Sequence, residues 1–385
     1  MTTQHSSMRI VCFAGLLAIA GTPAAAEQAA VAISTGWLMQ DVAHVKQSGG
    51  EISKVGFAPR VYAVKPYAPP PTADANPSTA KAPDDLRFHN APRVEGIVSW
   101  PVDPEKTRPS HSSKWAQAPG PSSPDWYRAT VPGTVLTTLV DNHVYPEPTY
   151  GENNRPNIIP ESLCRTSYWY RTEFDVPAAY AGRQAWLNFE GINYLADVWV
   201  NGNKVGTVKG AFIRGIFDVT ALVSPGKKAA LAVLIAPPPH PGDPWEKTVA
   251  NQRGPNGGGL TGPLGQDGPT FVASIGWDWV PGVRDRQVGI WQKVTLSATG
   301  PVVLQNPYVT TDLPLPRTDS ADVSIEATVR NTSNHPQTGI LSGTLGAFAF
   351  HSFTVTLAPN ASLLIKLNPG NTPQLRIAKS EALVA

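Results

Sequence analysis

The sequence predicts an all-β protein, in which a jelly-roll β-sandwich is followed by a partial immunoglobulin-like β-sandwich. Three observations predict this class. Short runs of alternating apolar and polar residues recur along the chain. Tight-turn signals separate these runs, and Asn201-Gly202 is the clearest of them because both residues tolerate positive φ. The 39 prolines and 33 glycines favour short strands with many turns over long helices.

The first sandwich begins its regular pattern after Arg165. Aromatic and β-branched residues, which fit a pleated surface, alternate with polar ones over the next runs. The Asn201-Gly202 turn joins two of these runs as a hairpin. The predicted strands are 168–176, 185–190, 195–200, 204–208, 229–235 and 292–297.

The second sandwich is predicted from an alternation centred on Val323, Ile325, Ala327 and Val329. Two further alternating runs, 353–357 and 363–367, repeat the pattern. No strand is predicted between residues 371 and 385, so the second sandwich is expected to end incomplete with an exposed edge strand.

These runs and the segments between them predict the domain organisation. Residues 61–124 hold 13 of the 39 prolines and are predicted to be a solvated, polyproline-like insertion; a docking site for proline-recognition partners is the alternative. The predicted segments are a signal peptide at 1–26, the jelly roll at 27–60 and 125–300, the insertion at 61–124 and the immunoglobulin-like sandwich at 301–385.

The N-terminus has the features of a secretory signal. Arg9 precedes an apolar run, Ile10 to Ala20, and three alanines at 24–26 offer a small-residue cleavage site before Glu27. The run is too short to span a bilayer comfortably. Export to the periplasm or the medium is therefore predicted, with no membrane association after cleavage; a buried N-terminal helix is the alternative.

Composition excludes several classes of partner. The net charge is +2 and Lys and Arg form no dense stripe, which argues against nucleic acid and anionic membranes and favours a neutral partner.

Cys12 would leave with the signal, so Cys164 remains as a passive thiol without a disulfide partner. The eight histidines lack metal-ligand spacing, and the glycine-rich run at 257–262 lacks the Gly-Lys-Ser/Thr of a phosphate loop. No metal or cofactor is predicted.

One segment carries the predicted chemistry. Trp277 and Trp279 flank Asp278, and Arg284 and Asp285 follow within one loop. Sugars present apolar faces and a rim of hydroxyls, so their sites combine aromatic platforms with fixed donors and acceptors. A sugar site at these five residues is one interpretation. The other is structural, with both tryptophans in the core and Asp278 paired with Arg284.

Several of these segments resemble a known family. The runs 168–177, 189–191, 198–202 and 217–220 resemble the N-terminal sugar-binding, galactose-binding-like jelly roll of family 2 glycoside hydrolases. The runs 131–136, 276–279 and 289–291 are similar to the branch of β-mannosidases, endo-β-mannosidases and exo-β-glucosaminidases.

The resemblance implies a role for each part of the chain. In that branch the jelly roll packs beside a catalytic (β/α)₈ barrel and lends a loop to the sugar pocket, which makes Asp278 the matching acidic contact. Catalysis there needs two glutamates on the barrel. A barrel takes about 250 residues, and 85 residues follow Gly300. The expectation is a truncated chain without catalytic residues, inactive alone, with a carbohydrate and the missing barrel as its partners.

Two alternatives remain open. The chain is a free-standing carbohydrate-binding or adhesion module, in which the Trp277–Trp279 loop is the whole site. Alternatively, two carboxylates of this chain form a catalytic dyad, drawn from Glu190, Glu246, Asp278 and Asp285.

Overall fold

The computed structural model describes residues 17–18, 28–67, 120–150, 153–154, 158–239, 241, 283–313, 315–316, 319–345 and 348–378. The chain divides into two compact units. The larger unit comprises Ala30–Ala181 and Trp186–Ser297, and the smaller comprises Met1–Ala29, Gly182–Ala185 and Ala298–Ala385. No helix in the described part of the chain has the length and apolar character needed to cross a bilayer.

The larger unit contains a six-stranded sheet whose neighbouring strands are all antiparallel. The order across the sheet is β4-β3-β5-β10-β7-β8. Its strands are β3 (Leu38–Asp41), β4 (Tyr127–Arg128), β5 (Tyr168–Asp175), β7 (Leu195–Val200), β8 (Asn203–Lys209) and β10 (Lys228–Ala236).

A four-stranded sheet, in the order β2-β11-β6-β9, accompanies it. Its strands are β2 (Gln28–Ala32), β6 (Gln184–Phe189), β9 (Gly215–Asp218) and β11 (Val294–Thr299). Together the sheets confirm the all-β prediction and the β-sandwich class.

The centre of the six-stranded sheet explains its sequence pattern. Residues 168–172 of β5 and 229–233 of β10 are buried on both faces, which is why β10 is almost wholly apolar instead of alternating. The β7–β8 hairpin turns at Asn201 (φ 47°) and Gly202 (φ 88°), the conformation predicted for this dipeptide.

Two short helices interrupt the strands. Helix α1 (Gly49–Ile52) starts at Ser48, which forms a capping box with Glu51. Helix α2 (Val135–Asp141) starts at Thr134, whose hydroxyl accepts from the backbone N–H of Thr137. The buried face of α2 is made by Val135, Leu136, Thr138 and Leu139.

The smaller unit has its own apolar core. The alternation predicted around residues 323–329 is confirmed, because Val323, Ile325, Ala327 and Val329 all belong to that core. Two four-stranded sheets surround it: β12-β13-β17 with β18 on β13, and β1-β14-β15 with β16 on β14. The strands are β1 (Leu17–Ala18), β12 (Val302–Asp312), β13 (Ser320–Asn331), β14 (Gln337–Leu345), β15 (Phe348–His351), β16 (Val355–Leu357), β17 (Ser362–Leu367) and β18 (Arg376–Ala378).

The absence of a strand after residue 371 was a wrong prediction. Strand β18 pairs antiparallel with the start of β13. Leu375 just before it is fully buried, and the Arg376 guanidinium bonds Asp322 through Nε at 2.7 Å and Nη2 at 2.9 Å. Three residues are too few for a visible alternation, so this strand depends on its distant partner.

The two ends of the predicted insertion lie side by side. Val61 forms a parallel bridge with Trp126, and the Tyr62 N–H donates to the Trp126 carbonyl at 2.8 Å. Arg60 and Asp125 add an ion pair of 2.7 Å. The intervening residues 68–119 lie outside the described part of the chain, and the boundaries of the insertion stay a prediction.

Because this junction closes the fold before residue 68, replacing residues 68–119 by a Gly-Ser linker of about ten residues should leave the larger unit intact. Each halving of a loop's length lowers the entropic cost of closing the loop by only about 0.6 kcal/mol. We expect the thermal midpoint to stay within about 3 °C of the parent, measured by circular dichroism. Loss of cooperative unfolding would show that the replaced residues are needed for the fold.

Candidate functional site

The structure describes two of the five predicted sugar-site residues. Trp277, Asp278 and Trp279 lie outside the described residues. Arg284 and Asp285 are both 0% exposed. In this structure they have no surface to offer a ligand, and their contacts described below are with other parts of the chain. A direct sugar contact by either stays a prediction.

Arg284 belongs to a buried ionic cluster centred on Glu161. Glu161 lies in a 3-10 turn, Glu161–Cys164. Its Oε1 accepts from Arg284 Nη1 at 2.6 Å and its Oε2 accepts from Arg286 Nη2 at 2.6 Å. The three side chains are at most 4% exposed. One carboxylate therefore bridges two guanidinium groups away from water, where such charge-assisted bonds are strongest.

The same arginines also bind backbone carbonyls. Arg284 donates from Nε to the Asn154 carbonyl at 2.9 Å and from Nη2 to the same oxygen. Arg286 donates from Nε to the Pro241 carbonyl at 2.7 Å and from Nη1 to Val283 at 2.9 Å. The cluster thus joins three distant stretches of the larger unit.

The cluster sets the ionisation of Glu161. Burial is the largest influence and by itself raises the pKa of this carboxyl. The charges of Arg286 and Arg284, together with their hydrogen bonds, outweigh burial and hold the pKa below its ordinary value. Glu161 is consequently a carboxylate at neutral pH.

Asp285 has a different set of partners. Its Oδ2 accepts from the backbone N–H of Leu136 in the first turn of α2 at 2.7 Å, and its Oδ1 accepts from Gln287 at 3.0 Å. Burial, the largest influence, raises the pKa of Asp285, and hydrogen bonds from Thr134 and Leu136 oppose the rise. The carboxylate ties its own turn to the start of α2.

We call residues 283–290 the anchor segment. Asn193 Nδ2 donates to the carbonyls of Arg286 and Gln287, each at 3.0 Å, and stabilises a turn in which both have positive φ. Backbone bonds of 2.8 Å from Val135 to the Val288 carbonyl and from Gly133 to the Ile290 carbonyl hold the far end. Hydrogen bonds therefore hold the anchor segment, which follows the predicted sugar loop in the sequence, against the core.

Sequence reasoning missed Glu161 and Asn193 as parts of this arrangement. Glu161 is 123 positions from Arg284 and gives no local pattern. The signal for Asn193 is also weak, because it lies between two strands without a periodic neighbour. Only their contacts identify them as residues that position the anchor segment.

An open groove of about 550 Å³ lies on the larger unit. It is lined by Glu190, Phe212, Trp291, Gln292, Lys293 and Thr295. Glu190 is one of the four carboxylates from which the alternative catalytic dyad could be drawn. Of the other three, Asp285 is fully buried and does not line the groove, and Glu246 and Asp278 lie outside the described residues.

Cys164 is a fully buried thiol whose Sγ lies 3.2 Å from the Glu161 carbonyl. Burial is the main cause that raises its pKa to about 11. The thiol is protonated at neutral pH, which agrees with the predicted passive role. Among the residues that the structure describes, no group of three or more His, Cys, Asp or Glu side chains is placed to hold a metal ion.

Comparison with known proteins shows what this arrangement resembles. Residues 110–292 match the family model described as "Glycosyl hydrolase 2 galactose-binding domain-like". The mannosylglycoprotein endo-β-mannosidase of Lilium longiflorum is 38% identical over 194 residues, which cover 50% of this chain and 19% of that protein. The exo-β-D-glucosaminidase of Streptomyces avermitilis is 31% identical over 264 residues, 68% of this chain and 25% of that protein.

A solved structure shows the same fold. The exo-chitosanase CsxA of Amycolatopsis orientalis superposes with a TM-score of 0.55 over 89% of this chain and 29% of that one, at 22% identity. At this identity the likeness shows the fold alone. The chain spans 19% and 25% of the lengths of the two curated relatives described above.

Proposed function

We propose, from the premise that this chain carries the galactose-binding-like domain of glycosyl hydrolase family 2, that it supplies a non-catalytic wall of the sugar pocket of an exported glycosidase. The full-length protein would hydrolyse O-glycosidic bonds of β-mannosides or related β-hexosides. The observation that carries the proposal is the family match over residues 110–292, which includes Asp278. The names of the endo-β-mannosidase and exo-β-glucosaminidase relatives support the choice of substrates.

The anchor segment supports a positioning role for this domain. Asp278 stands five residues before Val283, where the anchor segment begins. A sugar contact must be held within a fraction of an ångström to favour one orientation of the substrate. Glu161, Asn193 and the start of α2 hold the anchor segment, which begins four residues after Trp279 in the sequence.

In the proposed pocket, Asp278 accepts hydrogen bonds from hydroxyls of the terminal sugar. Trp277 or Trp279 covers an apolar face of the same ring. The acid/base and the nucleophile are two glutamates of a (β/α)₈ barrel, which acts on the bond that this wall orients. The chain described here binds and orients, and it does not move the proton or form the glycosyl intermediate.

The purified chain is the first test of this division of labour. We expect no turnover above background on nitrophenyl β-mannoside, β-glucosaminide or β-galactoside. Turnover that disappears when a carboxylate such as Glu190 or Asp285 is replaced by its amide would contradict the proposal. It would favour a dyad within this chain.

The role of Asp278 is tested in a chimera. Residues 110–292 replace the aligned region of the Streptomyces avermitilis exo-β-D-glucosaminidase, and the chimera with Asp278 intact is the reference. Loss of one hydrogen-bonding carboxylate should cost about 1.5–3 kcal/mol, or roughly 10- to 100-fold in kcat/KM, in the Asp278→Asn chimera. An Asp141→Asn chimera, changed at the exposed end of α2, is the matched control. Equal kcat/KM for the reference and Asp278→Asn would exclude the proposed contact.

Export is part of the proposal and rests on the N-terminal sequence of basic residue, apolar run and alanines. We expect the protein to leave the cytoplasm with Glu27 as its new N-terminus, so that the two-residue strand β1, which pairs with β14 in the uncleaved chain, is removed with the signal peptide. Mass spectrometry of the secreted or periplasmic protein measures this directly. Cytoplasmic protein that retains residues 1–26 would contradict export.

A further inference from the structure

The groove that Glu190, Phe212 and Trp291 help to line contains, among its described lining residues, none that the proposed function assigns to the sugar pocket. Its volume of about 550 Å³ lies inside the range of roughly 300–1,000 Å³ found for small-molecule sites. All six lining residues belong to the larger unit. They come from three stretches of chain, at Glu190, at Phe212 and at 291–295.

An aromatic pair forms one side of the groove. The rings of Phe212 and Trp291 meet edge to face, with centroids 5.5 Å apart and planes at 77°. Phe212 is 68% exposed, a large fraction for a phenylalanine. Rings in this arrangement present an apolar surface on which the C–H face of a pyranose can stack.

The indole of Trp291 is fixed by two contacts. Its Nε1–H donates to the Ala211 carbonyl at 2.9 Å. Its ring lies so close to Gly191 that an added Cβ there would come within 2.8 Å of Nε1. The absence of a side chain at Gly191 therefore leaves room for the indole to lie against the backbone. Because the Nε1–H already donates to Ala211, Trp291 can contact a ligand through its ring surface but not through this N–H.

Polar groups form the rest of the lining. Glu190 and Lys293 are cross-strand neighbours, since the Glu190 N–H donates to the Lys293 carbonyl at 3.0 Å. Gln292 and Thr295 add an amide and a hydroxyl. Together they supply both donors and acceptors. The negative charge of Glu190 and the positive charge of Lys293 cancel, so these two side chains do not favour a charged ligand over a neutral one.

We infer that this groove binds a neutral pyranose unit of an oligosaccharide, with Phe212 and Trp291 as its platform and Glu190, Gln292 and Lys293 as partners of its hydroxyls. Exposed aromatic ring surface beside donors and acceptors matches the two kinds of surface on a sugar ring. A nucleotide would also stack, but it would need more positive charge for its phosphates than one lysine supplies. The inference goes beyond the proposed function because it does not involve Asp278.

The test is titration of the full chain with mannotriose, followed by isothermal calorimetry and by saturation-transfer NMR. We expect saturable binding in the millimolar range. Phe212→Ala removes an exposed ring, so the variant should fold, and we expect its Kd to rise about tenfold, equivalent to about 1.4 kcal/mol. Phe212→Tyr keeps the ring and should bind within about twofold of the parent.

Glu190→Gln should weaken binding while leaving the circular dichroism spectrum unchanged. Lys204→Gln, changed at an exposed side chain outside the groove lining, should bind as the parent does. Asp278→Ala is measured beside them to separate this site from the proposed pocket. No saturable binding, or equal binding by the parent, Phe212→Ala and Glu190→Gln, would overturn the inference. Binding lost in Asp278→Ala alone would overturn it as well, while supporting the proposed role of Asp278. A glucosamine trimer binding over tenfold more tightly than mannotriose would overturn the choice of a neutral ligand.

Discussion

Replacing Glu161 by glutamine is expected to lower the free energy of unfolding of the larger unit by about 3–5 kcal/mol. The glutamine side chain is nearly isosteric, but it leaves Arg284 and Arg286 buried without their shared counter-charge. Breaking a buried ion pair costs far more than the pair itself contributes, because the remaining charge keeps its desolvation penalty. Urea denaturation followed by tryptophan fluorescence measures the loss.

An exposed ion pair of the same unit provides the control. Lys204 and Asp197 lie 2.9 Å apart, but their side chains are 48% and 29% exposed. Because water screens both charges, Lys204→Gln should change the free energy of unfolding by less than about 1 kcal/mol. Similar losses in Lys204→Gln and Glu161→Gln would show that burial does not set the strength of the Glu161 cluster.

The contribution of Glu161 to the free energy of unfolding should also change with pH in a defined direction. The folded-state pKa of Glu161 is lowered from its ordinary value of 4.5, so the stabilisation is fully present above pH 4.5. It is lost as the pH falls through the lowered folded-state pKa. The difference between parent and Glu161→Gln should therefore be constant near neutral pH and decline below pH 4.5. A difference that grows on acidification would contradict the assignment.

Gly289→Ala is the second change with a large expected effect. A Cβ at position 289 would lie 2.5 Å from the Gly133 carbonyl oxygen and 2.6 Å from the Thr134 Cα. Both are backbone atoms at the start of α2, so no side chain can rotate away. We expect a loss of about 3 kcal/mol in the free energy of unfolding, measured by urea denaturation, together with weakened protection of the Gly133 and Val135 amides in hydrogen exchange.

A second glycine separates crowding from the general effect of an added methyl group. No atom lies within 4 Å of a Cβ built at Gly300. Gly300→Ala should accordingly change stability by less than about 0.5 kcal/mol. If Gly289→Ala were as mild as Gly300→Ala, the close approach between the anchor segment and α2 would not be a constraint on the fold.

Local pattern explains how much of the fold was predictable. The hairpin at Asn201-Gly202 and the alternation in β13 depend on backbone conformation and on a period of two, and both are properties of neighbouring residues. Strand β18 was missed because it has three residues and pairs with residues 320–322, of which Asp322 lies 54 positions before Arg376.

The candidate site was less predictable for the same reason. The spacing of residues in the sequence puts Arg284 and Asp285 in one loop with Asp278. Spacing alone does not distinguish an exposed arginine from a buried one. The structure pairs Arg284 with Glu161 and Asp285 with the start of α2, so that both hold the anchor segment from inside.

The sequence by itself determined the all-β class, the main strands and the likeness to family 2 glycoside hydrolases, because period-two alternation, turn dipeptides and short motifs are local signals. Only the tertiary structure decided that Glu161 bridges two arginines, that Asn193 holds their turn, and that Phe212 meets Trp291 beside Glu190 and Lys293. Charge pairing and ring contact depend on distances in space between residues far apart in the chain, and no periodicity records such distances.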